Sequence, residues 1–487
     1  MPDHIIVVGA GAAGLMAAVA AAEKGNQVTV FEKNEKAGKK IYITGKGRCN
    51  LTNDCDTPDF FAHVARNHRF LYSAVYGFDH DMVKDFFVKN GCPVKVERGS
   101  RVFPVSDHAS DVTAALLRRL QALGVRINYR SPVQRILTDP LPDAEEGNAP
   151  GGKAGGRKKG PALAVRGVRL KNGREVRADA VILCTGGLSY PSTGSEGDGL
   201  DMARDLGMAV TPTAPSLVPF ETREDWCRRL QGLALKNVAV RIFPAERDAG
   251  PDAGAAAPEK SAALPGGETA PAPGPAAGPG EVTASAKGPA AGSSKTGKKK
   301  KKKPVYEGFG EMLFTHFGIS GPIILTASCK CDFLAHPDGF DLWLDLKPAL
   351  TQQQLEDRIA REFLAAPDRH LPGAVRPLFP ARLAETVTEL SGLDTGRRAA
   401  SFTDREISAL AALIKNIPVR VTGTRGYNEA IVTRGGISVA EINPSTMESR
   451  RVRGLYAAGE VLDVDAETGG FNLQIAWSTG RLAGESC

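Results

Sequence analysis

The sequence contains no long apolar run and no leader-like N-terminal segment. No stretch approaches the roughly 20 consecutive apolar residues that a membrane-spanning helix requires. The first residues lack the cationic region of a secretory signal peptide, and their apolar stretch runs directly into a glycine-rich turn. We therefore expect a protein with no membrane span and no cleaved signal.

Paired cysteines are also missing. The eight cysteines stand at positions 49, 55, 92, 184, 227, 329, 331 and 487, and no two of them form a C-x-x-C pair. Cys329 and Cys331 alone are too few ligands for a metal site. The cysteine pattern therefore predicts free thiols, no metal site and a reducing, cytoplasmic environment.

Excess charge of one sign is confined to a single segment. The formal net charge is +7, but the run from Lys298 to Lys303 contributes six lysines, so the remaining chain carries only +1. Such a run can bind RNA or another polyanion by releasing counterions. It can equally be a solvated surface segment with no partner, and the sequence leaves both interpretations open.

A second glycine-rich nucleotide motif is absent, which argues against a separate nicotinamide-binding domain. The length of 487 residues still predicts two or three domains. Two segments, 140–161 and 244–304, are rich in alanine, glycine and proline. Because they cannot bury enough apolar surface to order themselves, we predict a disordered hairpin tip and a long insertion.

The first 32 residues form the most informative segment. An apolar run at 5–8 predicts a buried strand, followed by glycines at G-x-G-x-x-G spacing, a small-residue helix, a second strand at 28–31 and an acid. In this arrangement the glycines allow a tight turn, close approach of a pyrophosphate and close helix packing, while the acid accepts ribose hydroxyls. The residues predicted to contact an adenine dinucleotide here are Gly9, Gly11, Ala13, Gly14, Glu32 and Lys33.

A loop dense in glycine, cation and amide groups follows this unit, at residues 38–53. Such a loop can wrap a phosphate and offer several N–H donors. A basic surface loop without a ligand is the alternative interpretation. The predicted cofactor contacts in this loop are Lys40, Thr44, Gly45, Gly47, Arg48, Cys49 and Asn50.

Three further segments have the form of strand ends or strands near a nucleotide. A buried strand ends in a Thr-Gly-Gly turn at 185–187, another ends in Gly-Glu at 459–460, and a Gly-Gly pair at 469–470 opens the last predicted helix. Helix starts of this kind present backbone N–H groups to a cofactor. The predicted contacts in these segments are Thr185, Gly186, Gly187, Gly459, Glu460, Asp463, Gly469, Gly470, Phe471, Asn472 and Leu473. Val133 is a further predicted contact, because it lies in a predicted strand at 132–136, and such a strand often meets the adenine in two-nucleotide flavin folds.

Five motifs, in this order along the chain, resemble those of the YhiN/BaiN/RdsA-type flavoproteins, which have a glutathione-reductase-like FAD fold. They lie at 45–53, 185–189, 314–322, 446–449 and 459–474. The resemblance implies an α/β fold whose Rossmann-like, two-nucleotide FAD domain is built from both chain ends, with an inserted β-rich domain and a small helical domain. The domain boundaries we predict are 1–190 and 419–487 for the FAD domain, 191–349 for the β-rich domain and 350–418 for the helical one.

The same resemblance implies an FAD-dependent oxidoreductase that reduces an activated C=C bond, with NAD(P)H, NADH being favoured, as a transient reductant. Family members act on uridine in 23S ribosomal RNA, forming dihydrouridine, or on unsaturated bile-acid intermediates. Three hypotheses follow for this chain: an rRNA uridine reductase, a small-molecule enone reductase and a flavin-containing binding factor without turnover. The lysine run slightly favours RNA.

Reduction of a C=C bond also needs a proton donor. We predict Cys49 as the first catalytic candidate, because its loop is expected near the flavin and Arg48 could modulate its thiol. His316 is the second candidate. Each has an ordinary alternative: Cys49 as a small packed residue, and His316 as a hydrogen-bonded structural histidine.

Overall fold

The computed structural model describes residues 2–141, 161–246 and 303–487. Residue contacts divide the chain into two units, Met1–Ala245 with Pro304–Cys487, and Glu246–Lys303. Every element named below belongs to the first unit. Most of the predicted hairpin tip, the 244–304 insertion and the lysine run lies outside the described residues. Within those residues, no helix is long and apolar enough to cross a membrane.

The described part of the chain alternates between helices and strands from its first strand to its last helix. The helices are α1 Ala12–Glu23, α2 Lys39–Ile43, α3 Thr57–Ala62, α4 Tyr72–Gly77, α5 His80–Lys89, α6 Ala109–Ala122, α7 Asp198–Asp205, α8 Asp225–Arg229, α9 Pro322–Lys330, α10 Gln352–Ala365, α11 Leu371–Ala374, α12 Ala381–Leu390, α13 Asp404–Lys415 and α14 Phe471–Ser486. The strands are β1 His4–Val8, β2 Gln27–Phe31, β3 Thr52–Asn53, β4 Val94–Glu97, β5 Arg101–Pro104, β6 Arg126–Asn128, β7 Val133–Pro140, β8 Leu163–Leu170, β9 Glu175–Arg177, β10 Ala180–Leu183, β11 Val210–Ser216, β12 Phe220–Thr222, β13 Ala234–Pro244, β14 Tyr306–Thr315, β15 Gly318–Ser320, β16 Phe340–Asp345, β17 Ile417–Thr424, β18 Val432–Ile437, β19 Val452–Arg453 and β20 Leu455–Ala457.

A five-stranded parallel sheet holds both ends of the chain together. Its strand order is β20-β10-β1-β2-β6, and all four pairings are parallel. The central strands are apolar along their length because helices or other layers cover both faces. The predicted α/β fold class, with one nucleotide-binding domain assembled from the two chain ends, is confirmed.

The first and last long helices pack directly against each other beside this sheet. Small residues make the close approach possible: a Cβ added at Gly480 would lie 2.4 Å from the Ala13 carbonyl oxygen, and one at Gly484 would lie 2.3 Å from the Ala17 carbonyl oxygen. The glycines of α14 therefore fix its position on α1, and both helix N-termini belong to one hydrophobic cluster.

The middle of the chain contributes a closed six-stranded barrel with strand order β12-β15-β14-β13-β16-β17. All its pairings are antiparallel. Helices α10 to α13 share a second hydrophobic cluster with the barrel, separate from the cluster of the parallel sheet. A β-rich and a helical part are thus present, and the numerical domain boundaries stay a prediction.

Local differences from the expected elements have physical causes. Residues 39–43, expected as part of a loop, form helix α2, because Gly38 starts it with a φ of 71° and Ile41 buries its side chain in the core. Residues 432–437 form a single strand, Val432–Ile437, which pairs with β11 although it contains Gly435 and Gly436. Asn172 and Gly173 form the turn between the paired strands β8 and β9, with Gly173 at a φ of 87°.

Candidate dinucleotide-binding site

The glycine turn between β1 and α1 has the geometry that its sequence predicts. Gly9 has a φ of 101°, and an added Cβ would lie 2.6 Å from the Cys184 carbonyl oxygen. A Cβ on Gly14 would lie 1.9 Å from the Gly9 carbonyl oxygen. Among the described residues, apart from the adjacent chain, no heavy atom lies within 4 Å of the position that a Gly11 Cβ would take. Gly9 and Gly14 are therefore required by packing, while Gly11 leaves room for a ligand.

The start of α1 also has the electrostatics that a phosphate needs. Its first turn carries only uncharged side chains, Ala12 to Leu15, so its N–H groups and the positive end of the helix dipole are not neutralised from within the turn. Helix α1 is 12 residues long, enough for its dipole to develop. An anion at this N-terminus would be bound without an additional cation.

Glu32 lies directly beside the glycine turn and is buried. Its Oε2 accepts a hydrogen bond from the Ala10 N–H at 2.8 Å, and its Oε1 accepts from the Asn34 N–H and from Asn34 Nδ2, both at 2.7 Å. Oε1 thus already accepts two hydrogen bonds, whereas Oε2 accepts one and has a further lone pair, which a ribose hydroxyl could use. Val133, at the start of β7, lies close by in the chain path, because the Ser131 N–H donates to the Glu32 carbonyl at 2.9 Å.

The segment after α2 turns through left-handed conformations. Gly45, Lys46, Gly47 and Cys49 have φ values of 56°, 58°, 85° and 61°. Runs of this kind direct successive N–H groups toward one side and form anion-binding concavities. In the same segment the side-chain oxygen Oδ1 of Asn50 is buried without a hydrogen-bond partner among the described residues. A buried amide oxygen without a donor fits a site that a polar ligand completes.

Cys49 and Arg48 are adjacent in this segment, but their side chains have different surroundings. The Cys49 side chain is fully buried, and burial raises the pKa of its thiol to about 12. The Arg48 guanidinium lies over the Phe103 ring and binds Glu97 and Asp107, each at 2.5 Å, and these hydrogen bonds raise its pKa. Arg48 is thus engaged by carboxylates. The catalytic role predicted for Cys49 stays a prediction.

Lys40 and Glu460 join the N-terminal and C-terminal parts of the site. Lys40 Nζ lies 2.5 Å from Glu460 Oε2 and 2.9 Å from Ser189 Oγ. Burial opposes ionisation of Glu460, but the Lys40 charge and the donors from Ser189 and Thr433 hold the pKa of this carboxyl below its ordinary value. The neighbouring Gly187 has no room for a side chain, since a Cβ would lie 2.4 Å from Thr433 Oγ1.

The N-terminus of α14 completes the arrangement. A Cβ on Gly470 would lie 2.3 Å from the Thr52 carbonyl oxygen, so α14 begins directly against the end of the 38–53 segment. Asn53 Nδ2 donates to the Gly469 carbonyl at 3.0 Å. Asn472 fixes the segment that precedes α14. Its Nδ2 donates to the Ala466 carbonyl at 2.8 Å, and its Oδ1 accepts from the Ala466 N–H at 3.0 Å.

An ion-pair network lies beneath this helix start. Arg66 Nη1 lies 3.0 Å from Asp463 Oδ1, and Arg66 Nη2 lies 2.9 Å from Asp465 Oδ1. Asp465 is 0% exposed and also accepts from Ser216 Oγ at 2.8 Å. Asp463, predicted to contact the cofactor, is therefore held in place by Arg66.

The structure brings most of the predicted residues to one edge of the parallel sheet, with Lys33 at an ion pair and His316 in the barrel. Lys33 forms ion pairs with Glu196 at 2.8 Å and Asp198 at 2.6 Å. His316 lies in the turn between β14 and β15 of the barrel, where its exposed ring packs edge-on against Phe317 at 4.9 Å between centroids. The roles predicted for both residues stay predictions.

Sequence reasoning missed a group of side chains beside Phe471, the first residue of α14. His63 Nδ1 lies 2.8 Å from Glu467 Oε2, and Lys330 Nζ lies 3.3 Å from Glu467 Oε1. His63 and Glu467 are 404 positions apart, so no local pattern could pair them. The only sequence signal was the position of Glu467 directly before the Thr-Gly-Gly start of α14.

Comparison with known proteins shows that the chain matches a family. The family model described as HI0933-like protein Rossmann domain matches residues 3–486. A 3-dehydro-bile acid delta(4,6)-reductase of Clostridium scindens is 28% identical over 488 residues, which cover 99% of this chain and 98% of that protein. A ribosomal RNA dihydrouridine synthase of Escherichia coli is also 28% identical, over 97% of this chain and 95% of that protein.

Among solved structures, a 3-ketosteroid delta1-dehydrogenase from Sterolibacterium denitrificans has a TM-score of 0.45 at 15% identity, and the match covers 99% of both chains. The family match extends over nearly the whole chain and agrees with the motifs found in the sequence. The chain therefore belongs to the HI0933-like protein Rossmann domain family and has a Rossmann-type FAD-binding fold.

Proposed function

We propose that this protein is an FAD-dependent oxidoreductase that reduces an activated C=C bond with NAD(P)H as electron source. The observation that carries the proposal is the meeting of three distant segments around one helix start. The Gly38 N–H donates to the Ala10 carbonyl at 2.8 Å, and Lys40 binds Glu460 at 2.5 Å. A Cβ on Gly459 would lie 2.7 Å from the Ala13 Cβ. One dinucleotide bound here would contact all three segments.

Each part of the site has a role in holding that cofactor. The amides at the start of α1 would hold the pyrophosphate, and Glu32 would accept hydrogen bonds from the adenosine ribose. The start of α14 would offer its N–H groups to the flavin end, where negative charge grows on reduction. When bound, FAD supplies the two-electron chemistry.

A uridine of 23S ribosomal RNA is the substrate we favour. Two relatives, from Escherichia coli and Haemophilus influenzae, are matched over nearly their full length and are named ribosomal RNA dihydrouridine synthase. The uracil C=C bond is conjugated with a ring carbonyl, so hydride addition at its far carbon places negative charge on an oxygen. The lysine run at 298–303 would strengthen binding to RNA by counterion release.

An unsaturated steroid ketone of the bile-acid type is the second candidate. The Clostridium scindens relative, which is matched over nearly its full length, is named 3-dehydro-bile acid delta(4,6)-reductase. Its substrate class shares the decisive chemical feature with uracil, a C=C bond conjugated with a carbonyl. The same arrangement of cofactor and proton donor would therefore serve both substrates.

Mass spectrometry of 23S rRNA from strains with and without the gene tests the favoured substrate. We expect one dihydrouridine to disappear in the deletion strain and to return with a plasmid carrying the wild-type gene. A plasmid carrying Gly14→Val serves as the control, because this change should prevent cofactor binding. An unchanged dihydrouridine content would exclude the rRNA substrate.

Purified protein distinguishes the remaining hypotheses. NAD(P)H oxidation that saturates with an unsaturated 3-ketosteroid and needs no RNA would favour the small-molecule reductase. Tightly held FAD with no NAD(P)H oxidation stimulated by either substrate would instead indicate a binding factor without turnover. We expect NADH to be the better reductant and the protein to act in the cytoplasm.

A further inference from the structure

A histidine and a glutamate form a rigid pair beside the start of α14. His63 Nδ1 lies 2.8 Å from Glu467 Oε2, within hydrogen-bond distance. The backbone adds a second link, since the Glu467 N–H donates to the His63 carbonyl at 2.9 Å. The neighbouring residues Val64 and Ala466 form an isolated antiparallel bridge. Side chain and backbone together therefore fix the orientation of the His63 ring.

The ring lies against the residue that opens α14. His63 and Phe471 are stacked, with centroids 4.4 Å apart and planes 19° apart. Phe471 directly follows Gly469 and Gly470, which contact the end of the 38–53 segment through Asn53 and Thr52. His63 thus lies at the place where the two segments predicted to contact the flavin meet.

The charge on Glu467 is stabilised by partners from two parts of the fold. Burial opposes its ionisation, but His63 and the Lys330 ammonium, 3.3 Å from Oε1, hold the pKa of the Glu467 carboxyl below its ordinary value. Lys330 is the last residue of α9, which packs in the barrel cluster, whereas His63 follows α3. The carboxylate therefore lies at the junction of the nucleotide-binding part and the barrel.

The geometry determines which ring nitrogen exchanges a proton. The ionised Glu467 accepts a hydrogen bond from Nδ1–H whether the ring is neutral or charged, so Nε2 is the atom that gains and loses a proton. The His63 side chain is 43% exposed, so solvent can return the proton. In contrast, Glu467 is 17% exposed and is shielded by its two partners.

We propose that His63, as an imidazolium positioned by Glu467, is the proton donor of the reaction. This inference rests on the proposed function and identifies its acid. FAD, held between the starts of α1 and α14 and reduced by NAD(P)H, would supply the hydride for the far carbon of the conjugated C=C bond. The carbon next to the carbonyl takes the proton from His63 Nε2. The His63 ring is then neutral, with its remaining proton on Nδ1, and Nε2 takes a new proton from water. One hydride and one proton have been added, so the C=C bond has become a CH–CH single bond.

His63 suits this role better than either residue predicted from the sequence. A thiol with a pKa of about 12, such as Cys49, is poorly matched to proton transfer near neutral pH, and its side chain is fully buried. His316 lies in a barrel turn against Phe317. His63 combines solvent exposure, a carboxylate partner and contact with the start of α14.

Separate measurement of the two half-reactions tests the proposal in the FAD-loaded protein. In His63→Gln we expect flavin reduction by NADH at the wild-type rate, and substrate-dependent reoxidation slowed by about 100-fold or more. His68→Gln, which removes an exposed histidine five positions away, should leave both rates unchanged. Wild-type reoxidation in His63→Gln, or equal slowing of both half-reactions, would overturn the proposal.

Nitrogen NMR of histidine-labelled protein provides a readout that does not depend on turnover. We expect neutral His63 in the wild type to carry its proton on Nδ1, and Glu467→Gln to lose this preference while retaining FAD. A neutral ring protonated on Nε2 in the wild type would refute the pairing of His63 with Glu467. Because this measurement uses the wild type, it decides the pairing even if His63→Gln fails to fold. If the wild type reduces neither uridine nor an unsaturated ketone, the proposed function fails, and the NMR result still decides the pairing.

Discussion

Replacing Gly14 by alanine should disrupt the nucleotide turn despite a gain in helix propensity. The added Cβ would lie 1.9 Å from the Gly9 carbonyl oxygen, whereas real Cβ atoms essentially never approach a neighbour closer than 3.0 Å. Alanine gains about 1 kcal/mol over glycine inside a helix. Overpacking costs about 1–3 kcal/mol, and the upper part of that range applies because the obstructing atom is backbone. We expect a net loss of about 1–2 kcal/mol in the free energy of unfolding.

Gly11→Ala is the matched control, three positions away in the same turn. Its Cβ would meet no heavy atom of the described residues within 4 Å, so the expected cost is only that of alanine at a helix N-cap, about 0.5 kcal/mol. In urea unfolding of the apoprotein, Gly14→Ala should therefore have a lower free energy of unfolding than Gly11→Ala. Titration with FAD should show weaker FAD binding for both variants than for the wild type. A Gly14→Ala protein as stable as the control, with wild-type FAD affinity, would refute the packing argument.

The remaining predictions concern charge and burial. Arg66→Met should lower the free energy of unfolding, measured with urea, by about 3–5 kcal/mol, because it leaves the buried Asp465 carboxylate without its cation. Adding Asp465→Asn to this variant should recover much of the lost stability. The Cys49 thiol should resist alkylation at about pH 8 until the protein unfolds, as followed by peptide mass spectrometry, since its pKa is about 12; rapid labelling of the native protein would contradict this. Because the folded-state pKa of Glu460 lies below its ordinary 4.5, its ion pair with Lys40 stabilises the protein above that pH and is lost on further acidification. Lys40→Met should therefore lose less thermal stability than the wild type when the pH is lowered, and an identical pH dependence would exclude the pair.

The nucleotide turn could be predicted because its determinants are local. Strand, glycine turn, helix, second strand and acid follow one another within the first 32 residues, and each part constrains the next. Gly9 and Gly14 have the tight contacts that their spacing implies. The acid at position 32 lies beside the turn, where it accepts the Ala10 N–H.

The partners of charged residues could not be predicted, because they are distant in sequence. Lys40 was predicted to contact the cofactor, which stays a prediction, and its ammonium binds Glu460, 420 positions away. Arg48 was predicted to contact the cofactor and to modulate the Cys49 thiol, and its guanidinium binds Glu97 and Asp107, 49 and 59 positions away. Long-range pairing of this kind depends on the tertiary fold, which a single sequence does not display.

Short elements were also decided by tertiary packing. The 38–53 segment was expected to be a loop because glycines, cations and amides are frequent in it, yet its residues 39–43 form a single helical turn in which Ile41 is buried. The strand Val432–Ile437 is likewise formed through its pairing with β11, although it contains Gly435 and Gly436. Pairing partners and buried contacts outweigh local propensity in such short segments.

The central claim is that both chain ends bind one FAD at the start of α1. The most direct measurement is the flavin content of the purified protein, by absorbance and by titration of the apoprotein with FAD. We predict one FAD per chain for the wild type and greatly reduced content for Gly14→Val. A colourless wild-type protein that takes up no added FAD would contradict the account, as would a folded Gly14→Val protein with full flavin content.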